Sequence, residues 1–372
     1  MKRGSTITAN QAEDGDIPVI AGGQKPAYFH NQSNREGKNI TVAGSGAYAG
    51  YVAYWEQPIF VSDAFTVTPK EASLDIKFVY YFLTNIQDKI YHTKKGSGVP
   101  HVHPSSIADF EIPIPPLEIQ KKIVECLDKF SALAAELQAE LQMRRKQYEY
   151  YRTQLLTPHS DCNSAGDSTD DCNWEWKTLG EIGTFQRGNG LQKKDFTEEG
   201  TGCIHYGQIY TKLGTFCHKP ITRVPDELAA KLVKVYPGNL VIACTSENVE
   251  DCCKAVAWLG DETIVTGGHA AVFRHKENPK YIAYAFQSEI FQKQKNKFAK
   301  GVKVIDIKIE ELAKISIPLP PLAEQERIVS ILDKFEALTT SLSEGIPAEQ
   351  AAQQKRYEYY RDLLLTFDRK AE

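Results

Sequence analysis

The sequence predicts a mixed α/β protein in which two similar globular parts are separated by two long antiparallel coiled-coil helices, with pseudo-twofold symmetry. Three observations support this fold class. A long stretch occurs twice, at residues 112–157 and 317–366. A region rich in short apolar runs precedes each copy. Both copies also carry apolar residues at coiled-coil spacing. A repeat of this length fixes the architecture before any local structure is assigned.

The two copies of the repeat can be aligned residue by residue. The first begins IPIPPLEIQKKIVECLDKF and ends QYEYYRTQLLT, and the second begins IPLPPLAEQERIVSILDKF and ends RYEYYRDLLLT. Leu127 recurs as Leu332, an offset of 205 residues, whereas Tyr148 recurs as Tyr357, an offset of 209. The second copy therefore carries four extra residues in its middle.

The repeat divides the chain into domains. A chain of 372 residues with 42% hydrophobic residues is too long for one ordinary core. The predicted segments are a first globular part at 1–111, a first helix at 112–157, a linker at 158–173, a second globular part at 174–316, a second helix at 317–366 and a tail at 367–372.

The net charge is −4, which by itself disfavours a nucleic-acid partner. The charge is unevenly distributed, however. Residues 158–173 carry −4 through their aspartates, and residues 174–314 carry +3. The second globular part is thus mildly basic, and a DNA-binding role stays open.

Short β-branched and aromatic runs separated by Gly, Pro and Asn predict strands in the first globular part. Residues 75–90 show helical spacing of apolar positions and predict a helix. His101 and His103 follow in a proline-containing loop. They are interpreted as solvated loop histidines, with a metal-binding pair as the alternative.

The first repeat predicts a long helix that begins after Pro116, because prolines exclude the preceding residues from a helix interior. Apolar positions then step by four and three, as in a coiled coil, over a length of about 60 Å. In the second repeat this spacing is interrupted at residues 345–347, GIP. The predicted seam consists of Ile123, Leu127, Phe130, Leu137, Leu141, Tyr148, Tyr151, Ile328, Leu332, Phe335, Leu342, Tyr357 and Tyr360.

The second globular part repeats the strand pattern, and residues 279–298 are the helical counterpart of 75–90. It opens with residues 174–185, WEWKTLGEIGTF, before Arg187 and Gly188. The first part begins almost at the matching Arg3 and Gly4, so it lacks this opening strand. We expect an unpaired sheet edge there, from a start annotated too late or from a truncated allele.

Catalytic signatures are scarce. The sequence contains neither a P-loop nor the tetrapeptide that amino-methylating enzymes use on a flipped base. Residues 306–308, DIK, resemble part of a nuclease motif but are interpreted as a strand or turn. Because no CxxC pair occurs, no metal site is predicted. No apolar run is long enough for a membrane span, and the expectation is a soluble cytoplasmic protein.

The most suggestive polar feature is a run of lysines between residues 293 and 303, with Phe298 within it. Such a run is suited to a phosphate backbone, although a solvated face is the alternative. Polar loops supply side chains that read base edges. The candidate DNA-binding residues are Gln24, Lys25, Tyr28, Lys94, Lys95, Gln186, Arg187, Lys293, Lys295, Lys297, Lys300 and Lys303.

The doubled IPxPPL, LDKF and YEYYR pattern resembles the specificity subunit of type I restriction-modification systems over nearly the whole chain. The resemblance implies two target-recognition domains, each reading one half of a split double-stranded DNA target. It also implies helices that set the spacing and dock two modification (methyltransferase) subunits, with restriction subunits joining the complex. The chain itself would be non-catalytic, and S-adenosylmethionine, ATP and Mg would belong to the partners.

Two other interpretations also fit the sequence. The chain is alternatively a coiled-coil scaffold or a silent allele that does not bind DNA. It is alternatively an uncharacterised cytosolic enzyme, with Cys252, Cys253 and His269 as the place to look. Within the first helix, residues 134–137 (AAEL) and 138–141 (QAEL) are tandem units of about one turn each. An added unit is expected to widen the gap between the two half-targets.

Overall fold

The computed structural model describes residues 1–158, 174–301, 304–340 and 345–367. Most of the predicted linker and tail, together with Lys303 and Leu342, therefore lies outside the described residues. The chain divides into two compact units. Unit 1 comprises Met1–Gln138 and the C-terminal residues from Glu349, and unit 2 comprises Ala139–Ala348. Each unit combines one globular part with portions of both helical repeats.

Strands dominate the globular part of unit 1, as the short apolar runs predict. Its elements are β1 (Lys2–Arg3), β2 (Ile17–Ile20), β3 (Tyr28–His30), β4 (Asn39–Ala43), β5 (Val52–Trp55), β6 (Phe60–Val61), β7 (Ala64–Val67), α1 (Ile76–Asn85), α2 (Gln87–His92) and α3 (Pro104–Ile107). The single helix predicted at 75–90 is in fact two helices, which meet at Ile86. Asp75 caps α1 by accepting from the backbone N–H groups of Lys77 and Phe78.

Two sheets form this part of unit 1. One has the order β1-β7-β4-β5 with antiparallel pairing throughout. The other has the order β3-β2-β6, in which β2 and β6 are parallel. The core forms where Ile40 and Val42 of β4 pack with Val79 and Leu83 of α1. The next element, α4 (Leu117–Leu155), is a helix of 39 residues that begins directly after the prolines.

Unit 2 contains a larger set of elements in its globular part. The strands are β8 (Glu175–Thr178), β9 (Gly183–Arg187), β10 (Thr201–Ile204), β11 (Phe216–Cys217), β12 (Thr222–Val224), β13 (Val233–Val235), β14 (Leu240–Ala243), β15 (Thr245–Ser246), β16 (Ala255–Trp258), β17 (Ile264–Thr266), β18 (Ala270–His275), β19 (Ile305–Asp306) and β20 (Ser316–Leu319). The helices are α5 (Leu179–Ile182), α6 (Tyr206–Thr211), α7 (Asp226–Ala229), α8 (Pro279–Ala285), α9 (Glu289–Phe298) and α10 (Ile309–Leu312).

The two globular parts share one topology. The main sheet of unit 2 has the order β11-β16-β14-β18-β9. Strands β9, β18, β14 and β16 thus repeat the order β1, β7, β4 and β5 of unit 1. The second sheet, β12-β10-β17-β13, likewise repeats β3-β2-β6, including the parallel pairing of β10 with β17. The similarity expected from the sequence repeat is therefore a similarity of strand order.

The opening strand distinguishes the two parts. In unit 2, β8 pairs with β20, and Ile317 of β20 is fully buried. The residues of unit 1 that match β20, residues 111–114, form no strand, and Ile114, which matches the buried Leu319, is exposed. Strand β9 has five residues where β1 has two. Among the described residues of unit 1, no strand pairs with residues 111–114 as β8 pairs with β20.

The second repeat forms two helices, α11 (Leu322–Thr339) and α12 (Gly345–Leu365), with α12 beginning at the predicted break. In unit 1, Leu127 of α4 shares a buried cluster with Leu365 of α12, and Gln138 lies 3.2 Å from Gln350. The early residues of α4 therefore face the late residues of α12, so the two segments are antiparallel. In the described ranges, no helix combines the length and apolar character that a membrane span requires.

Candidate nucleic-acid interface

A polar cleft of about 440 Å³ lies in the globular part of unit 2. It forms beside strands β9, β13 and β18. Its lining includes no aspartate or glutamate. The lining residues are Gln186, Arg187, Asn189, Lys231, Leu232, Val233, Lys234, Tyr236 and Arg274. The cleft is therefore basic, although the chain as a whole is acidic.

Arg274 is held rigidly at this cleft. Its guanidinium donates to Gln186 Oε1 at 2.7 Å and to the Lys234 carbonyl at 3.0 Å. The guanidinium also lies 5.9 Å from the ring centroid of Tyr236, at cation–π distance. Lys231 extends from the rim and is exposed. A fixed guanidinium beside an exposed ammonium group provides the donors that a phosphate group requires.

Arg187 connects the cleft to a second loop. It forms an ion pair with Asp306 at 2.8 Å and donates to the carbonyls of Ile307 and Gly268 at 3.3 and 3.2 Å. These bonds tie β9 to the segment that follows α9. The sequence predicts that Arg187 contacts DNA, and in the structure its side chain lines the cleft and is 31% exposed. Its three hydrogen bonds within the protein hold two loops together.

The described lysines of the run lie on α9 and in the loop that leads from α9 to Asp306. Lys293, Lys297 and Lys300 are exposed, and the backbone of Lys300 pairs with Asp306. Lys293 forms an exposed ion pair with Glu289 at 2.6 Å, one turn earlier on α9. Arg187 and Asp306 therefore link the basic cleft to Lys300. Among the lysines of the run that the structure describes, Lys297 and Lys300 are the best placed to meet a phosphate backbone.

Lys295 corrects the sequence prediction. Its side chain is 0% exposed, and its ammonium group donates to the carbonyls of Val249 and Glu250 at 2.7 and 3.1 Å. Burial lowers its pKa. A fully buried ammonium group cannot reach DNA, so the prediction of a phosphate contact is wrong for this residue. Helical periodicity explains the difference, because Lys293 and Lys297 lie on the opposite face of α9.

In unit 1, the predicted Gln24 and Lys25 occupy an exposed turn between β2 and β3. Gly22, just before them, approaches the turn at Ser45 so closely that a Cβ atom would lie 2.3 Å from the Ser45 carbonyl oxygen. Only glycine permits this contact. The turn carrying Gln24 and Lys25 is thus held against the Ser45 turn.

The other predicted DNA-binding residues of unit 1 differ in whether their side chains bond within the protein or are exposed. Lys94 donates to the Ala47 carbonyl at 3.2 Å and lies over the Tyr91 ring, whereas Lys95 is exposed. Lys94 therefore lies in a loop next to the Ser45 turn. Tyr28 donates its hydroxyl to the Ile7 carbonyl at 2.5 Å, so it supports the fold instead of being free to bind a base.

The lysine loops occupy matching positions in the two units. Lys95 bridges to His101 in unit 1, and Lys300 bridges to Asp306 in unit 2. His101 in turn bridges to Ser45, and Asp306 pairs with Thr245. This geometry supports the interpretation of residues 306–308 as a strand or turn, because β19 includes Asp306. The basic loops are therefore duplicated together with the fold.

The sequence leaves two alternative sites open, a metal-binding pair at His101 and His103 and a cysteine nucleophile at Cys252 or Cys253. The rings of His101 and His103 are stacked 6.1 Å apart, and His103 contacts Arg3 at 2.7 Å. Across the described ranges, no group of three or more His, Cys, Asp or Glu side chains is arranged to hold a metal ion. Cys252 and Cys253 are 0% and 1% exposed. Neither thiol reaches solvent, which disfavours a cysteine nucleophile at this place.

The seam residues differ in burial along the helices. Burial does not change steadily along α4, because Leu141 near its middle is buried and Tyr151 near its end is exposed. The buried members are Ile123, Leu127, Leu141, Tyr148, Ile328 and Leu332, the half-buried members are Phe130, Leu137, Phe335 and Tyr357, and the exposed members are Tyr151 and Tyr360. In unit 1 a groove of about 580 Å³ separates α4 from α12 near Ala134 and Ala351. The seam is therefore not continuous.

Sequence reasoning missed most of the cleft. Lys231, Lys234, Tyr236 and Arg274 were not singled out. One signal was available for Lys234, which stands between the apolar Val233 and Val235 of β13 and must face away from them. The others come together only through the pairing of strands that are distant in sequence.

The sequence matches the family model described as the type I restriction modification DNA specificity domain, over residues 1–143 and 172–350. It is 31% identical to the EcoR124I/EcoR124II specificity subunit of Escherichia coli, covering 89% of this chain and 85% of that protein. It is also 31% identical to a putative type I restriction enzyme specificity subunit of Haemophilus influenzae, covering 95% and 89%.

Solved structures agree in fold. The S subunit of a type I restriction-modification system from M. genitalium matches with a TM-score of 0.61 at 16% identity, covering 99% of this chain and 94% of that one. A chain from a structure of type I restriction-modification complex assembly matches with a TM-score of 0.54 at 17% identity, covering 95% and 92%. Duplicated reading domains, paired helical repeats and these matches agree, and the chain belongs to the family of type I restriction-modification specificity subunits, which recognise DNA targets and assemble with methylase and restriction subunits.

Proposed function

We propose that this chain is the non-catalytic subunit that reads a split DNA target in the prokaryotic cytoplasm, with one globular part for each half of the target. The shared strand order of the two parts supports this proposal. Two domains of one topology with different loops present two surfaces of the same kind but of different chemistry. Such a pair is suited to two different half-targets of one duplex.

The basic cleft of unit 2 is the surface proposed to contact the second half-target. Arg274 and Lys231 supply positive donors at a cleft whose lining contains no acid, and Lys297 and Lys300 extend the positive surface. Phosphate contacts of this kind position a protein on DNA, and base contacts then specify the sequence. Gln186 and Asn189 are the cleft residues whose amide groups match base edges.

The chain assembled with its modification subunit should protect a split DNA site. Lys231→Ala is expected to weaken binding of all sequences and to reduce the salt slope of log K by about 1, because one phosphate contact is lost. Lys129→Ala is the matched control, since Lys129 is an exposed lysine of α4 that pairs with Glu125. An equal salt slope for Lys231→Ala and the control would contradict the cleft assignment. An enzyme would instead show turnover by the chain alone, and a scaffold would not protect DNA.

Two modification subunits are proposed to dock on the helical repeats. Each copy of the YEYYR motif exposes an equivalent tyrosine, Tyr150 at 61% and Tyr359 at 65%. Each forms the same edge-to-face pair with its neighbour, Tyr151 or Tyr360, with ring centroids 5.4 and 5.3 Å apart. Exposed aromatic residues are the typical anchors of protein interfaces. A surface patch that occurs twice fits two copies of one partner.

This docking model predicts how many modification subunits each variant of the chain binds. Tyr150→Ser should reduce the complex from two modification subunits to one, and Tyr150→Ser with Tyr359→Ser should abolish binding, as measured by light scattering of the purified complex. Tyr236→Ser is the control, because Tyr236 is an exposed tyrosine away from the repeats. Retention of two subunits by the double variant would refute the tyrosine anchors.

A further inference from the structure

The globular part of unit 1 is joined to α4 by a polar clamp. Lys77 and Tyr81 stand one turn apart on α1 and reach the same carboxylate. The Lys77 ammonium group lies 2.9 Å from Asp128 Oδ2, and the Tyr81 hydroxyl donates to Asp128 Oδ1 at 2.6 Å. Each oxygen of Asp128 therefore has its own donor. This arrangement fixes the direction of the contact as well as its distance.

Unit 2 repeats the clamp with equivalent residues. Lys280 lies 2.6 Å from Asp333 Oδ2, and Tyr284 donates to Asp333 Oδ1 at 2.8 Å. The lysine and the tyrosine again stand one turn apart, now on α8. The aspartate belongs to the LDKF motif in both copies. Both the residue types and the atoms in contact are thus duplicated.

A buried glutamine adds a second attachment in unit 1. Gln120 of α4 is 0% exposed. Its Oε1 accepts from the backbone N–H of Asp75, and its Nε2 donates to the carbonyls of Ser73 and Pro115, all at 2.8 Å. Asp75 is the residue that caps α1. The glutamine therefore holds the beginning of the same helix that carries Lys77 and Tyr81.

The glutamine is duplicated as well. Gln325 is 0% exposed, accepts from the backbone N–H of Asn278 at 3.0 Å and donates to the Pro320 carbonyl at 2.9 Å. Asn278 caps α8 as Asp75 caps α1. In each unit the lysine and the tyrosine share the aspartate of the helical repeat, and the capping residue contacts its glutamine. Two separate attachments of this kind determine the orientation of one helix against another.

Stability alone does not account for the clamp. The side chains of the Lys77–Asp128 pair are 27% and 37% exposed, and ion pairs this accessible to water contribute little to the free energy of unfolding. Their value lies in geometry, because charge-assisted hydrogen bonds are directional. A small rotation of α1 against α4 would break both bonds to Asp128 together.

We infer that Asp128 and Asp333 are positioning residues that fix the angle between each reading domain and its helical repeat, and that they thereby restrict the gap accepted between the two half-targets. This inference rests on the proposed reading of a split target. If the domain could pivot on its helix, its reading surface would meet the duplex at several distances from the other half-target. The clamp limits these distances without touching a base.

The complex with the modification subunit provides the test. It is incubated with a random-sequence DNA library, and the methylated sites are sequenced for half-target bases and gap length. For Asp128→Asn, we expect the fraction of sites with a changed gap to rise about tenfold, the equivalent of one charge-assisted hydrogen bond, with the half-target bases unchanged. The charge-swapped variant Lys77→Asp with Asp128→Lys should restore the narrow gap distribution.

Controls separate positioning from stability. Glu125→Gln removes an ion pair of 2.8 Å within α4 that holds no globular part, and it should leave the gap distribution narrow. Lower methylation of all sites by Asp128→Asn with an unchanged gap distribution would show a merely structural role and overturn the inference. If Asp128→Asn does not fold, Tyr81→Phe retains the ion pair and has the same readout. A wild-type complex without any split motif would instead refute the proposed function and the inference with it.

The two clamps differ in one respect. In unit 2 the Tyr284 hydroxyl also lies 2.6 Å from Glu336 Oε2, so its single proton is shared between the carboxylates of Asp333 and Glu336. Glu336 in turn accepts from the backbone N–H of Thr215 at 3.1 Å. In unit 1 the corresponding partner of Tyr81 is Ser131, at 3.4 Å. The clamp of unit 2 therefore keeps a contact when its aspartate is lost. Asp333→Asn should broaden the gap distribution less than Asp128→Asn, and the reverse order would contradict this assignment.

Discussion

Phe130 of α4 stacks on Tyr360 of α12, with ring centroids 5.6 Å apart and an interplanar angle of 28°. In unit 2, Phe335 of α11 stacks on Tyr151 of α4, with centroids 5.4 Å apart and an angle of 26°. The phenylalanine of each LDKF motif therefore packs on a tyrosine of the YEYYR motif from the other copy. Each copy of the repeat supplies the phenylalanine of one pair and the tyrosine of the other, which explains why the two motifs recur together.

Phe130→Ala is expected to lower the free energy of unfolding by about 2 kcal/mol, somewhat less than a fully buried phenylalanine would cost, because the ring is half-buried. The offset-stacked aromatic pair is lost together with the buried area. Urea unfolding measures the change. Tyr359→Ala, at an exposed site, should change stability by less than about 0.5 kcal/mol. Equal losses for the two variants would show that the stacking does not stabilise the helices.

The repeat made the architecture predictable. Prolines set the beginning of α4, the heptad spacing identified Leu127 and Leu332 as buried, and Gly345 marked the beginning of α12. These features are local, so a pattern in the sequence is sufficient to identify them. The clamp at Asp128 was not predicted, because its partners on α1 are about 50 residues away and a lysine or tyrosine on a helix carries no local sign of its partner.

The proposed DNA-facing surface was only partly predictable for a related reason. A lysine run indicates a positive segment, but the orientation of each side chain depends on where the helix packs. Lys295 and Lys297 are two residues apart and face in different directions, one into the core and one into solvent. Arg274 joins the cleft through the pairing of β18 with β9, which no local pattern of charges indicates.

Lys295 and Lys297 should behave oppositely when each is substituted. Lys295→Met leaves the carbonyls of Val249 and Glu250 without their donor, and it should destabilise unit 2 by about 1–3 kcal/mol. Lys297→Met should leave stability unchanged and reduce the salt slope of DNA binding by about 1. Thermal unfolding and DNA binding at several salt concentrations separate the two effects. A changed salt slope for folded Lys295→Met would contradict the buried placement.

His275 should make stability depend on pH. Its two ring nitrogens are buried, and burial lowers its pKa to about 4. The unfolded chain, with an ordinary histidine pKa of about 6.5, therefore binds a proton at a higher pH than the folded protein does. Stability contributed by the neutral ring is fully present above about pH 6.5 and is lost as the pH falls toward 4.

The free energy of unfolding should fall by about 2–3 kcal/mol between pH 6.5 and pH 4 because of His275. Urea unfolding at a series of pH values measures this change. His275→Gln should flatten this dependence between pH 6.5 and 4, whatever its effect at neutral pH. His218→Gln, at an exposed histidine of the same unit, is the matched control. If the pH dependence of His275→Gln equals that of the control, His275 is not the responsible group.

Insertion of a third AAEL unit after Leu137 should widen the gap between the half-targets. Residues 134–137 lie beside the groove of about 580 Å³ in unit 1, where packing between α4 and α12 is loose, so four added residues meet little steric resistance. The unit lengthens α4 by about 6 Å, close to the rise of two base pairs, and adds slightly more than one helical turn. Sequencing of methylated sites should show both half-targets unchanged and a gap about two base pairs longer. Insertion of a non-helical GSGS segment at the same place should instead broaden the gap distribution, and an unchanged gap with AAEL would mean that α4 does not set the spacing.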